Sequence, residues 1–174
     1  MSSISERMVE ALNEQLNWEL YSAYIYLSMA AYFDSIELKG FANWMRVQWQ
    51  EEITHAMRFY DYINERGGRV KLHAIQEPKA EWSSPLEAFE EAYNHEVGVT
   101  KRIHNLIDLA LSEKDYATYN MLQWFVAEQV EEEASTSEIV GKLRIIGEDK
   151  HALLMLDQEL GKRRFNPPAD GQEV

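Results

Sequence analysis

A chain of 174 residues can build one domain with a sizeable core and is too short for two ordinary ones. With 45% hydrophobic and 27% charged residues it is composed to fold, and its 30 acidic against 17 basic residues, a formal net charge of -13, disfavour nucleic acid and anionic membranes and favour cations. No cysteine occurs, which excludes disulfides, thiolate nucleophiles, iron–sulfur clusters and Cys-ligated zinc or haem, so any bound metal must take oxygen and imidazole.

From Met1 to Glu14 the charges are spread out rather than gathered before an apolar run, and no stretch reaches the length of a membrane span. A cytoplasmic location is expected. The 8 glycines and 4 prolines cluster, leaving four long stretches that read as helices. Ser3 with Glu6 has the pattern of a capping box that opens the first helix. Glu37-Leu38-Lys39-Gly40 is a short connection to an antiparallel second helix, which ends at Gly67-Gly68. Residues 69–84 show no clean period and lead into Ser84-Pro85-Leu86-Glu87, where Ser84 caps, Pro85 takes the first helical position and Glu87 closes a second capping box. The third helix runs to about Lys114, Asp115 caps the fourth, and Gly147 ends it before a short fifth helix from about Asp149 to Leu160. A single domain over residues 1–164 is expected, followed by a loose tail, 165–174, that contains Pro167-Pro168.

The connection at 69–84 constrains the topology. A second helix of ~27 residues is about 40 Å long at ~1.5 Å per residue, and a linker of ~16 residues can stretch to about 50 Å. The linker can therefore traverse the bundle, letting helices two and three run parallel. The expected fold is an all-α four-helix bundle with one long crossover and a short fifth helix.

Core-facing residues of a bundle recur in steps of three and four. Helix one gives Leu12, Leu16, Glu19, Ala23, Tyr26 and Ala30, and helix two gives Phe41, Met45, Gln48, Glu52, His55, Phe59 and Tyr62. Helix three gives Phe89, Ala92, Glu96, Val99, Ile103, Leu106 and Ala110, and helix four gives Met121, Phe125, Glu128, Glu132, Ser135 and Ile139. Each line is interrupted by acid. A carboxylate on a core seam must be paired, protonated or metal-bound, because an isolated buried ion costs more than a fold's net stability. Glu96 lies 19 residues before Asp115 and Glu132 lies 17 after it, so the second hairpin is in register. In the first, Glu19 lies 21 before Gly40 while Glu52 and His55 lie 12 and 15 after it, a mismatch of more than a turn that side-chain reach and an earlier end to helix one would absorb.

Acids at similar depth on four seams, with Glu52 and His55 spaced i, i+3, match the arrangement by which helical bundles hold two metal ions. Glu19, Glu52, Glu96 and Glu132 carry four negative charges when ionised, which two Fe²⁺ ions would balance. Carboxylates with one imidazole suit iron or manganese better than copper and leave positions open for water or dioxygen.

In the runs Asn13-Glu14-Gln15-Leu16-Asn17-Trp18-Glu19-Leu20-Tyr21-Ser22, Gln50-Glu51-Glu52-Ile53-Thr54-His55, Tyr93-Asn94-His95-Glu96 and Leu122 to Glu133, the sequence resembles the prokaryotic non-haem ferritins of the ferritin-like di-iron carboxylate family. The resemblance covers essentially the whole chain. It implies that Glu19, Glu52 and His55 hold a first iron, that Glu52 bridges, and that Glu96 with Glu132 hold a second. Gln129 would lie just behind the ligands and Tyr26 beside the centre, and Glu51, Glu128 and Glu131 would form a third iron site. The same resemblance implies a ferroxidase that oxidises Fe(II) to Fe(III) with O₂ and stores hydrated ferric oxide inside a shell of twenty-four copies. Bacterioferritins differ at two points. They carry a second Glu-x-x-His pair where this chain has Glu128 and Glu131, and a haem-ligating methionine where it has Ile53, so no haem is expected. Two alternatives stay open at this level: a di-iron oxygenase or peroxide-consuming enzyme of the same fold, and a non-catalytic bundle whose acids are merely solvated.

Overall fold

Five helices account for most of residues 4–167, the part of the chain that the computed structural model describes. They are α1 (Glu6–Ser35), α2 (Lys39–Glu65), α3 (Pro85–Ser112), α4 (Tyr116–Ile146) and α5 (Lys150–Leu160). The ends follow the expected chemistry with two shifts. Helix α1 is capped by Ser5, whose hydroxyl accepts from the Met8 N–H at 3.0 Å; the expected cap, Ser3, lies outside the described residues. At α3, Ser84 accepts from the Glu87 N–H at 3.1 Å, but the Glu87 carboxylate reaches the N–H of Ser83 rather than that of Ser84. Asp115 caps α4 and Asp149 caps α5 through their carboxylates, and Gly147 closes α4 with a φ of 55°. Of the expected tail, 165–174, residues 168–174 lie outside the described residues.

The crossover is written in its hydrogen bonds. Asn13 of α1 donates to Arg69 O and accepts from Lys71 N, Asn17 donates to Lys71 O and accepts from His73 N, Gln76 donates to the Tyr21 hydroxyl, and Ser28 donates to Lys79 O. The linker thus runs along α1 in α1's own direction for roughly 22 Å at ~1.5 Å per helical residue. It starts where α2 ends and delivers α3 to the end where α2 began. Helices α2 and α3 are therefore parallel, and α3 lies antiparallel to α1, as the pairs Ser22–His95 and Ser5–Glu113 require.

Two apolar clusters fill the bundle. One holds Tyr26, Phe33, Phe41, Trp44 and Phe89 near the start of α2, with Trp82 of the linker and Leu156 and Leu160 of α5. The other holds Met8, Leu12, Phe59, Ile103, Leu122 and Phe125 near the opposite end. The expected seams of α1 and α3 are buried throughout. On α2 the last buried position is Ile63, with Tyr62 only partly covered. On α4 the line is displaced by one residue at three places: Leu122, Gln129 and Thr136 are buried, whereas Met121, Glu128 and Ser135 sit at its edge. Steps of three and four both fit a helix of 3.6 residues per turn, so the sequence leaves that choice to packing.

Helix α5 docks on the first turn of α2, whose position before Lys39 offers no capping side chain. Asp157 supplies the missing acceptor, its Oδ1 taking the N–H groups of Gly40 at 2.8 Å and Phe41 at 3.0 Å. Gly40 has no alternative here, because a Cβ would stand 1.6 Å from Asp157 O. Asn43 continues the ladder by donating to Leu160 O and Arg163 O. No helix among the described residues is long and apolar enough to cross a membrane.

Candidate metal centre

Between the two apolar clusters the seams meet in a layer of acid. Glu19 of α1, Glu52 and His55 of α2, Glu96 of α3 and Glu132 of α4 are each no more than 5% exposed. The mismatch between α1 and α2 is reduced because α1 stops at Ser35. Glu19 then stands 16 residues before the end of α1 and Glu52 13 after the start of α2, a difference side-chain reach can span. One ligand atom from each of Glu19, Glu52 and His55 falls within a mutual 4.8 Å, and so does one from each of Glu52, Glu96 and Glu132. Glu52 belongs to both groups.

The surroundings tie down one oxygen of Glu19, Glu52 and Glu132 and both oxygens of Glu96. Gln15 donates to Glu19 Oε1 at 2.8 Å, and Glu19 Oε2, fully buried, has no hydrogen-bond partner. Gln48 donates to Glu52 Oε1 at 3.1 Å and to Glu132 Oε2 at 2.7 Å. The Tyr26 hydroxyl donates to Glu96 Oε1, and Gln129 donates to the backbone oxygen of Glu96 at 3.1 Å and to its Oε2 at 3.2 Å. His55 lies between Glu52, 3.6 Å from Nδ1, and Glu128, 3.7 Å from Nε2; these are ion-pair separations rather than formed hydrogen bonds.

Such crowding redistributes protons. Burial, then the charge of Glu52, pushes the Glu19 carboxyl up to about 8, and the same two causes push Glu132 up to about 8. Burial with Glu52 and Glu132 raises Glu96 well above the ordinary range, and burial with Glu96 does the same to the Tyr26 hydroxyl. Burial also works against ionisation of Glu52 and His55. Their mutual attraction outweighs it, lowering Glu52 and raising His55 well above its usual value. These shifts favour an ionised Glu52 and a protonated His55 among acids that hold their protons more tightly than usual. An orphaned buried carboxylate oxygen and an all-oxygen-and-imidazole donor set fit divalent metal of the iron or manganese kind.

This geometry sits on a fold already known elsewhere: residues 9–146 match the family described as the ferritin-like domain. The chain belongs to the ferritin family. It is 43% identical over 163 residues to a protein named bacterial non-heme ferritin from Staphylococcus aureus, spanning 94% of this chain and 98% of that one. A protein of the same name from Staphylococcus saprophyticus is 45% identical over the same length. Among solved structures, the open pore ferritin of the hyperthermophilic archaeon Archaeoglobus fulgidus is 70% identical, with a TM-score of 0.93 over 94% of this chain and all of that one. An engineered closed form of the same archaeal ferritin gives the same identity and TM-score.

Within this ferritin fold, the five residues expected to hold two irons converge, and Tyr26 and Gln129 touch Glu96 from two sides. The three expected at a third position do not gather in the same way. Glu128 is half-buried and joins His55 and Glu132 in a third group of ligand atoms within 4.8 Å. The Glu51 carboxylate instead pairs with Arg163 at 2.6 Å, and Glu131 is exposed; among the described residues neither belongs to a metal-capable group. Sequence reasoning placed Gln48 on a seam without a role and passed over Gln15. A signal existed, since each stands four residues before a buried glutamate on its own helix, the spacing at which helical side chains meet.

Proposed function

We propose that this chain is an iron-storage protein whose buried acidic layer is a ferroxidase centre. Glu19, Glu52 and His55 take one Fe(II), Glu52 bridges, and Glu96 with Glu132 take the second. Two ferrous ions side by side give up one electron each, which allows O₂ to accept a pair of electrons in one encounter. Tyr26 and Gln129 hold Glu96 in place while the carboxyls that take the metal release their protons to solvent. The Fe(III) formed moves on to a hydrated oxide inside a hollow homo-oligomeric shell of twenty-four copies in the cytoplasm. One domain, residues 1–164, carries all of this, and haem has no part in it. Glu128 extends the centre toward a third iron, with Glu131 contributing from the exposed face and Glu51 joining once Arg163 releases it.

The observation that carries this reading is the sharing of Glu52 by two groups of ligand atoms, each within 4.8 Å. Anaerobic Fe(II) titration of the assembled protein is expected to saturate at two or three ions per subunit, and aerobic loading followed by size-exclusion chromatography should show hundreds of irons eluting with the shell. A stoichiometry of zero would sink the proposal. Two tight ions without later accumulation would move the chain to the oxygenase or peroxide-consuming reading.

A further inference from the structure

Two of the glutamines that hold the buried carboxylates are themselves held, and by the same means. Arg102 Nε donates to Gln15 Oε1 at 3.1 Å, and Gln15 passes its N–H to Glu19. Arg163 Nη2 donates to Gln48 Oε1 at 3.0 Å, and Gln48 passes its N–H groups to Glu52 and Glu132. In each case the guanidinium lies over a tryptophan, Arg102 4.3 Å from the Trp18 ring centre and Arg163 4.2 Å from that of Trp44. The two glutamines are buried and the two arginines reach them from the rim.

A carboxamide has two nearly isosteric ends, one accepting and one donating, so packing alone leaves its orientation open. An arginine carries donors and no acceptor. Contact with it obliges the amide oxygen to face outward and the amide nitrogen to face the carboxylate. We propose that Arg102–Gln15 and Arg163–Gln48 are two orientation relays, making these four side chains positioning residues of the metal centre. The inference rests on the metal-centre reading above. Through Gln15 the first relay fixes one oxygen of Glu19 and leaves Oε2 for metal. Through both hydrogens of Gln48 the second ties the bridging Glu52 of α2 to Glu132 of α4, setting how far apart two ligands on different helices stand. Arg163 follows α5, beyond residues 9–146 of the family match, so the ladder from Asp157 through Asn43 aligns a segment outside the four-helix bundle with the centre. Glu51 Oε2 accepts from the same Nη2 and the Trp44 backbone oxygen accepts from Nη1, and together they anchor that guanidinium.

The test is anaerobic Co(II) titration of the assembled, iron-free protein, read by visible absorption and calorimetry so that affinity and coordination are seen apart from iron oxidation. Arg163→Met keeps an aliphatic stem over Trp44 but no donors. It should weaken the Glu96–Glu132 ion about 10–100-fold, the usual effect of removing an outer-shell partner, and the Glu19–His55 ion less, because that one shares only Glu52 with the second relay. Arg102→Met should weaken the opposite ion, and Arg163→Lys, a single point charge in place of a fork, should restore only part of the loss. Gln48→Leu leaves Arg163 on Glu51 and should reproduce the Arg163→Met pattern, providing a second reading should that variant not assemble. Wild-type affinities and band shapes in the two Met variants, or equal loss at both ions together with a lower unfolding temperature, would overturn the relays while the centre itself stood. A wild-type protein that takes up no Co(II) would remove the metal-centre reading and the relays together.

Discussion

The apolar clusters at the two ends of the bundle and the acidic layer between them lie on the same four helices and obey opposite rules. In the clusters, rings such as Phe33, Phe41 and Phe89, with centroids 5.0–6.0 Å apart, exclude water and satisfy one another. In the layer, five ionisable side chains are equally dry, four of them carboxyls that raise one another's cost of ionisation, and Glu19 keeps an oxygen with no partner. Burying a carboxylate ion costs several kcal/mol even after relaxation. The ends therefore stabilise the fold, and the middle stores a demand for positive charge that metal can meet.

Cutting into an end should have the largest effect on stability. Phe89→Ala removes a ring packed on Phe33, Phe41 and Trp44 and is expected to cost about 3–5 kcal/mol by chemical denaturation. A loss below about 1 kcal/mol would mean that the cluster is not the stabilising element. Cutting into the middle should do the reverse. Glu19→Ala or Glu132→Ala is expected to slow the initial fast phase of Fe(II) oxidation by at least ~10-fold in stopped-flow absorbance, with the shell still assembled and the iron-free protein no less stable. Unchanged initial rates would refute the assignment of ligands.

The contrast also has a pH signature. For Glu19 and Glu132 the folded value of about 8 lies above the ordinary 4.5, so folding holds protons that the unfolded chain releases. Their contribution is fully present below about 4.5 and is lost as pH rises through about 8. His55, raised, loses its contribution in the same direction, whereas Glu52, lowered, loses its own only as pH falls below the ordinary carboxylate range. The unfolding temperature of the iron-free protein should therefore decline between pH 5 and pH 8, and metal binding near pH 7 should release protons measurable in a pH-stat. A midpoint that climbs with pH over that range would contradict the proton-holding layer. The smallest effect is expected away from both regions: Ser84→Ala removes the α3 cap and should cost about 1 kcal/mol while leaving iron oxidation at the wild-type rate.

Much of this contrast was legible in the chain itself. Glu19, Glu52, His55 and Glu96 fall on apolar lines of period 3.6, and Pro85, Asp115 and Gly147 mark helix ends through local backbone chemistry that needs no tertiary context. The shifted seam of α4 shows where that legibility stops, because Glu128 and Gln129 are neighbours on one helix surface and only the packing of α3 against α4 chose Gln129. Glu51 likewise reads as a free ligand until Arg163, 112 positions away, is seen to hold it.

The sequence determined the number of helices, their ends, and which helices carry acid inward, since periodicity and capping act within a few residues of chain. Tertiary structure alone decided that Asp157 caps α2, that Arg102 and Arg163 reach the glutamines, and which carboxylate oxygens are left facing one another. Each of those depends on helices meeting at a distance of a few ångströms, and that distance is set by how side chains far apart in the chain pack together.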